Sequence, residues 1–377
     1  MTKKFSSETN LPWWKKGVIY QIYPRSFNDT SGNGIGDLKG ISKKISYLSS
    51  LGVDAIWLSP IFTSPMKDMG YDVSNYTDID PLFGNIHDFE RLIEKAKENK
   101  IKVIIDQVLS HSSDAHPFFK ISKSNKNNSK SDWYVWADPK PDGSPPNNWL
   151  SVFGGSAWEW DTGREQYYLH NFLKSQPDFN FHNLEVQKWL LSTVKFWLEK
   201  GVDGFRLDTA NYYFHDKKLR NNPAIKSRAS GKNPYYYQNL KYSINQKDNF
   251  AFLKKLRKLT DQYKETTMIG EISNVELQAK YTANNDKLHM AYSFDLLRDE
   301  FSPKHIRNTV SKFFKETKDG WPTWSFSNHD VVRHLSRWNK TKKDRQKFAK
   351  LTCALLMSLK GTPVSYTHLR AHETHDD

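Results

Sequence analysis

Five acids, two histidines and one arginine stand in this sequence where a fold could gather them for chemistry. Asp106 stands near the end of the apolar run IKVIIDQV (101–108) with His111 just after it, and Arg206 and Asp208 close VDGFRLD (202–208). Glu271 ends TTMIGE (266–271), His329 and Asp330 follow TWSFS (323–327), and Asp72 lies in GYDVSNY, on the loop after an earlier run. Any one of these acids could cap a helix or pair with an arginine. A whole set at the ends of successive apolar runs is harder to explain that way. Cleavage of a glycosidic bond needs such a set: one ionised carboxylate to attack and one protonated acid to help the leaving group depart. Arg206 and Asp208 are two apart on one strand, so their side chains share a face. A fixed guanidinium beside a carboxylate would lower its pKa and keep it ionised.

These residues need a frame that alternates strand and helix. Strand-like runs fall at 17–23, 54–60, 101–108, 202–208, 266–271, 289–294, 323–327 and 361–364. Apolar residues at helical spacing fill 40–52, 86–100, 184–200, 248–263, 303–316 and 341–359. A βα repeat with about eight strands predicts an α/β fold, a (β/α)8 TIM barrel whose site lies where strands end and βα loops begin. The interval of about 75 residues at 109–183, rich in Ser, Asn, Pro and Trp, is too long for a plain loop and predicts an inserted irregular domain after strand 3. The expected division is barrel at 1–108, insert at 109–183 and barrel again at 184–364.

The bulk properties narrow the class. A net charge of +14 could suit nucleic acid, yet the lysines are scattered over polar helix faces, and neither a zinc-finger spacing nor a phosphate-cradling Gly-rich loop is present. No nucleic-acid partner is expected, and no membrane partner, since no apolar stretch is long enough to span a bilayer. The single cysteine, Cys353, sits in LTCALLMSL and is expected to be a buried structural thiol in a cytoplasmic protein.

The motifs DQVLSH (106–111), GFRLDTA (204–210), GEIS (270–273) and FSNHD (326–330), with GVDAIWLSP (52–60) and QPDFN (176–180), resemble those of the α-amylase family of glycoside hydrolases. Within it the chain looks most like the cytoplasmic α-glucosidases and oligo-1,6-glucosidases, whose corresponding motif begins QPD. The resemblance runs from about Trp13 to Val364. It implies a retaining α-glucosidase acting on terminal α-linked glucose in maltose or short oligosaccharides, with an α-1,6-acting glucosidase, a glucosyltransferase or isomerase, or an inactive homologue as alternatives. Asp208 is implied as nucleophile, Glu271 as general acid/base and Asp330 as a third essential carboxylate. His111, His329 and Asp72 are implied as lining the glucose pocket, Tyr71 as stacking beneath the ring and Arg206 as orienting Asp208. Glu271 would need a raised pKa to stay protonated. Thr209 follows the nucleophile where relatives carry Thr or Ala for α-1,4 links and Val for α-1,6 links, which favours α-1,4. Ser110 replaces the usual Asn, a calcium ligand in the amylases.

DTSGNGIGD (29–37) places oxygen-bearing groups at alternating positions between glycines. It resembles a divalent-ion loop, with Asp29, Ser31, Asn33, the Ile35 carbonyl and Asp37 as ligands of a structural Ca2+ or Mg2+. Catalysis itself should need no cofactor. The partner is expected to be a small oligosaccharide, and the protein a monomer or homodimer. After GTPV the sequence SYTHLRAHETHDD (365–377) departs from the family pattern and reads as a non-native tail, so His368, His372 and His375 are not taken as a metal site. The last barrel helix and C-terminal β domain are expected to be absent.

Overall fold

A computed structural model describes residues 11–225, 233–340 and 344–367. Its centre is an eight-stranded parallel sheet: β1 (Ile19–Ile22), β2 (Ala55–Leu58), β3 (Lys102–Gln107), β4 (Gly204–Leu207), β5 (Thr267–Ile272), β6 (Met290–Ser293), β7 (Thr323–Ser325) and β8 (Thr362–Tyr366). The hydrogen-bonded order is β6-β5-β4-β3-β2-β1-β8-β7. A parallel bridge between Ala291 and Pro322 joins the two outer strands and brings the sheet round into a barrel. Residues in β1 to β6 are buried almost throughout, which is why these strands read as continuous apolar runs rather than alternating ones.

The helices cover the outside: α1 (Leu38–Ser50), α2 (Ile86–Glu98), α3 (Leu184–Glu199), α4 (Asp248–Thr260), α5 (Val275–Thr282), α6 (Pro303–Glu316) and α7 (Arg345–Ser358). Side chains cap several starts: Asp37 accepts from Gly40 N–H, Asn85 from His87 and Asp88, and Asn183 from Glu185. Helix α5 was not anticipated between the fifth and sixth strands. It is only 8 residues long, and its helical bonds are supported by the Asn274 cap and by burial of Val275, Ala279 and Tyr281 rather than by a clear apolar period. Strand β8 runs two residues past Val364, the expected end, to pair Tyr366 with Gln21. The Thr367 hydroxyl then donates to the Gln21 carbonyl at 2.7 Å. The remaining tail, with its three histidines, lies outside the described residues. Cys353, expected to be buried, is exposed: it sits one step round α7 from the buried stripe Ala349, Thr352 and Leu356.

The insert carries a short helix (Pro117–Ser124) and a three-stranded antiparallel sheet, Trp136–Ala137, Gln166–Leu169 and Trp158–Asp161. Its own small core is built on Val135, Trp149, Trp158 and Leu169. A bridge between His111 and Asp178, beside a 3.0 Å bond from Phe179 N–H to the Ser110 carbonyl, fastens it to the end of β3. A second excursion, residues 209–247 between β4 and α4, was not singled out from the sequence. It folds against the insert, with Asn147 Nδ2 donating to the Leu219 carbonyl at 3.0 Å and Trp149 Nε1 to the Arg220 carbonyl at 2.9 Å.

Candidate active site

A cavity of about 1120 Å³ opens at the C-terminal ends of the strands. Parallel register places its chemistry. Asp106 on β3 lies opposite Arg206 on β4, and Arg206 lies opposite Ile269, two residues before Glu271 on β5. The same face of three neighbouring strands thus turns an arginine and two acids inward. Arg206 Nη1 stands 2.7 Å from both Asp106 Oδ1 and Asp208 Oδ1, and Nη2 stands 2.7 Å from Glu271 Oε2. The Tyr292 hydroxyl on β6 accepts a further bond from Nη2 at 2.7 Å. One buried guanidinium therefore serves three carboxyl groups, and it cannot neutralise them all.

This excess of acid decides protonation. Burial pushes Glu271 up to about 8; Arg206 pulls it down, and Asp208 and Asp330 push it up again. Asp208 is also raised by burial, which outweighs the attraction of Arg206. Here the sequence expectation is corrected: the arginine holds Asp208 more acidic than burial alone would leave it, but does not bring it down to the ordinary carboxylate range. With Asp208 and Asp106 sharing Arg206, the proton resides on Glu271 near neutral pH. Glu271 and Asp208 are held by the two ends of the same guanidinium, at 2.7 Å each. An attacking carboxylate and a protonated acid thus stand side by side.

The turn after β4 has a constrained backbone. Thr209 has φ +41°, a left-handed conformation that costs a β-branched residue energy. It aims the Thr209 N–H at Glu271 Oε2, at 2.9 Å. The Thr209 hydroxyl donates to Asp208 Oδ2 at 3.2 Å and lies 2.9 Å from Ser110 Oγ, which in turn lies 2.9 Å from His111 Nδ1. Ser110 thus links a pocket histidine to the acid pair, a role for which the sequence carried no signal beyond its being an unusual residue there.

His329 and Tyr71 stack with ring centres 5.2 Å apart, and the Tyr71 hydroxyl lies 2.7 Å from His329 Nε2 and donates to Asp106 at 3.0 Å. Gln21 Nε2 holds the other His329 nitrogen at 2.9 Å. Burial pushes His111 and His329 down to about 4, so both are neutral hydrogen-bonding groups near neutral pH. Asp330 is turned by Asn328 Nδ2 at 2.7 Å and is the most exposed acid of the set.

Asp72 does not line the cavity. It is fully buried, accepting from Ser64 Oγ (2.9 Å), Lys67 N–H (3.1 Å) and Asp68 N–H (3.0 Å), and so knots the turn that presents Tyr71. The carboxylate on the cavity wall is Asp68, four residues earlier, held by Gln176 Nε2 at 2.7 Å. Both acids sit on the long loop after β2, where strand register gives no guide to direction. The outer wall, also unforeseen, comes from the insert (Phe153, Phe172) and the 209–247 excursion (Tyr212, Tyr235, Tyr236).

The 29–37 turn lies outside this cavity. Asp29 accepts from Ser31, Gly32 and Gly34 N–H, each at 2.8 Å, and Asp37 from Thr30 and Gly40 N–H. For Asp29 these bonds, led by that from Gly34, lower the pKa; for Asp37 they do so against partial burial. Both therefore stay charged, and with Ser31, Asn33 and the Ile35 carbonyl they form an all-oxygen set whose donor chemistry fits Ca2+ or Mg2+. Among the described residues no cluster of three His, Cys, Asp or Glu side chains has metal-binding geometry.

The family model "Alpha amylase, catalytic domain" matches residues 21–374. A probable alpha-glucosidase of Rhizobium meliloti (strain 1021) is 53% identical over 370 residues, covering 95% of this chain and 67% of that protein. An oligo-1,6-glucosidase of Heyndrickxia coagulans is 41% identical, covering 94% of this chain and 66% of its own length. The crystal structure of the alpha-glucosyl transfer enzyme XgtA superimposes with a TM-score of 0.93 at 53% identity, over 96% of this chain and 69% of that one. The chain thus spans about two-thirds of the length of these relatives. With a family model matching residues 21–374 and a barrel that superimposes on a solved relative, it belongs to the α-amylase family of glycoside hydrolases.

Proposed function

We propose that this protein is a retaining α-glucosidase that removes terminal α-linked glucose from maltose or short α-glucosides. The carrying observation is the pair of acids on one guanidinium: Asp208 and Glu271 both bind Arg206, each at 2.7 Å. A retaining enzyme needs its two carboxyls only about 5–5.5 Å apart, whereas an inverting one must leave room for a water between acid and sugar. Asp208 attacks C1 while Glu271 protonates the departing oxygen; Glu271 then takes a proton from water as that water releases glucose from Asp208. Asp330, Asp68, His111 and His329 hold the ring hydroxyls. Thr209 favours α-1,4 links, because its hydroxyl, absent from Val, adds a polar group beside the nucleophile. A cytoplasmic location is the reading that fits a lone cysteine and the absence, among the described residues, of a helix long and apolar enough to cross a membrane.

The test is to incubate the protein with maltose, isomaltose and sucrose and follow the first-formed anomer of glucose by NMR. Release of α-glucose, lost in Asp208→Ala, is the expected result; β-glucose would refute the mechanism. Transfer of the glucosyl group to an alcohol in place of water is the second reading, supported by the likeness to XgtA.

A further inference from the structure

The hydrogen bonds around His329 have a direction, and the acids beyond them set it. Asp330 Oδ1 lies 3.3 Å from His329 Nε2, and a carboxylate oxygen accepts. The Tyr71 hydroxyl lies 2.7 Å from the same nitrogen and gives its one proton to Asp106 Oδ2 at 3.0 Å. Asp106 takes its other bonds from Arg206 Nη1 (2.7 Å) and Trp57 Nε1 (3.2 Å), groups that can only donate, so it stands as an accepting carboxylate. His329 Nε2 therefore faces two acceptors and must carry the proton. Burial keeps the ring neutral near neutral pH; Asp330 pulls the other way, and Arg206 sides with burial. Tyr71 and Tyr23 stack on the ring with centres 5.2 and 6.3 Å away, and Trp57 meets it edge-on at 6.5 Å. A neutral ring protonated on Nε2 has a bare Nδ1, which has to accept.

The group that meets Nδ1 is Gln21, on β1. A carboxamide has nearly the same shape either way round, but only its nitrogen arm can donate. Gln21 Nε2 lies 2.9 Å from His329 Nδ1 and donates its other hydrogen to Ser59 Oγ at 3.1 Å. The side chain is fully buried, and its Oε1 meets no donor among the described residues, so its bonds are spent on the nitrogen side. Gln21 is not part of the cavity wall, whereas His329 is. We propose that Gln21 is a positioning residue that holds His329 as the neutral, Nε2-protonated tautomer, so that the ring turns an N–H toward Asp330 and the Tyr71 hydroxyl. With an acceptor at the Gln21 position, Nδ1 would gain a proton and His329 would become a second cation in the site.

The consequence for catalysis rests on the glucosidase reading, the tautomer does not, and the test keeps them apart. Asp330 is one of the charges that hold Glu271 protonated, and an imidazolium 3.3 Å from it would cancel that push. Nitrogen NMR of protein carrying isotope-labelled histidine reads the tautomer directly, with the His329 signals identified by their loss in His329→Asn. Near neutral pH the parent should show a proton on Nε2 and a bare, hydrogen-bonded Nδ1. In Gln21→Glu, His329 should take a second proton, and the basic limb of the kcat/KM–pH profile on maltose should move down by about one unit. Gln21→Met removes the donor without adding charge and decides the matter if a buried carboxylate prevents folding: the Nδ1 signal should move downfield as its lone pair is freed. A proton on Nδ1 in the parent, an Nδ1 signal unchanged in the variants, or a doubly protonated His329 with the basic limb unmoved overturns the inference. The expected signals in a protein that releases glucose from no substrate would uphold it and sink the hydrolytic reading instead.

Discussion

Replacing Thr209 by valine tests the hydrogen-bond chain at the nucleophile. The Thr209 hydroxyl donates to Asp208 Oδ2 and lies 2.9 Å from Ser110 Oγ, which lies 2.9 Å from His111 Nδ1, so one chain of contacts joins the nucleophile to the pocket histidine. Valine keeps the volume and the left-handed backbone of Thr209, and with it the 2.9 Å N–H bond to Glu271, while deleting one donor to Asp208. A hydrogen bond to a charged acceptor is worth about 1.5–3 kcal/mol. At 3.2 Å this one is long for O–H···O⁻, which places it at the low end, about 1.5 kcal/mol. The loss should reduce kcat/KM on maltose about tenfold. Asp208 loses a donor that favours its ionised form, so its pKa rises further, and the acid limb of the kcat/KM–pH profile should move up by about one unit. Ser110→Ala should act in the same direction through the same chain. In the double variant the effects should fall short of additive by about 1 kcal/mol, because the first substitution has already broken the link. Melting temperatures serve as the control and should hardly move for Thr209→Val. Additive single effects with an unmoved acid limb would refute the chain.

Other outcomes follow from the same geometry. Glu271 is raised from an ordinary value near 4.5 to about 8, so between those values the folded protein holds a proton that the unfolded chain releases. Stability must then fall as pH rises through that window, by on the order of 1 kcal/mol per unit; urea denaturation of Glu271→Gln should show a flatter pH dependence and a gain over the parent above pH 8. Asp68→Asn should raise KM for maltose about tenfold or more with little change in melting temperature, whereas Asp72→Asn should lower the melting temperature by loosening the turn that carries Tyr71. Millimolar Ca2+ or Mg2+ should raise the melting temperature of the parent protein, and Asp29→Ala should abolish the response; a thermal shift that is the same in both would remove the 29–37 turn from consideration as the ion site.

Much of this molecule was legible because it is written locally. Each barrel strand is a short run buried on all sides, so its residues must be apolar wherever neighbours pack, and the polar exceptions Asp106, Arg206 and Glu271 stand out as inward-facing groups. The Asn and Asp caps and the long insert were likewise signalled by residues close in the chain. What sequence could not supply depends on segments that meet only in three dimensions. Whether Asp68 or Asp72 faces the cavity is settled by which of them the turn Ser64–Asp68 takes as its anchor. That Asp208 is raised rather than lowered follows from burial outweighing a guanidinium divided among three acids. Cys353 is exposed because α7 buries only a narrow stripe, and the aromatic outer wall exists because the insert and the excursion after β4 fold against one another. The sequence determined the reacting groups and the barrel that carries them; protonation, facing and the shape of the outer site belong to the tertiary structure, since each is set by desolvation and by partners far away along the chain.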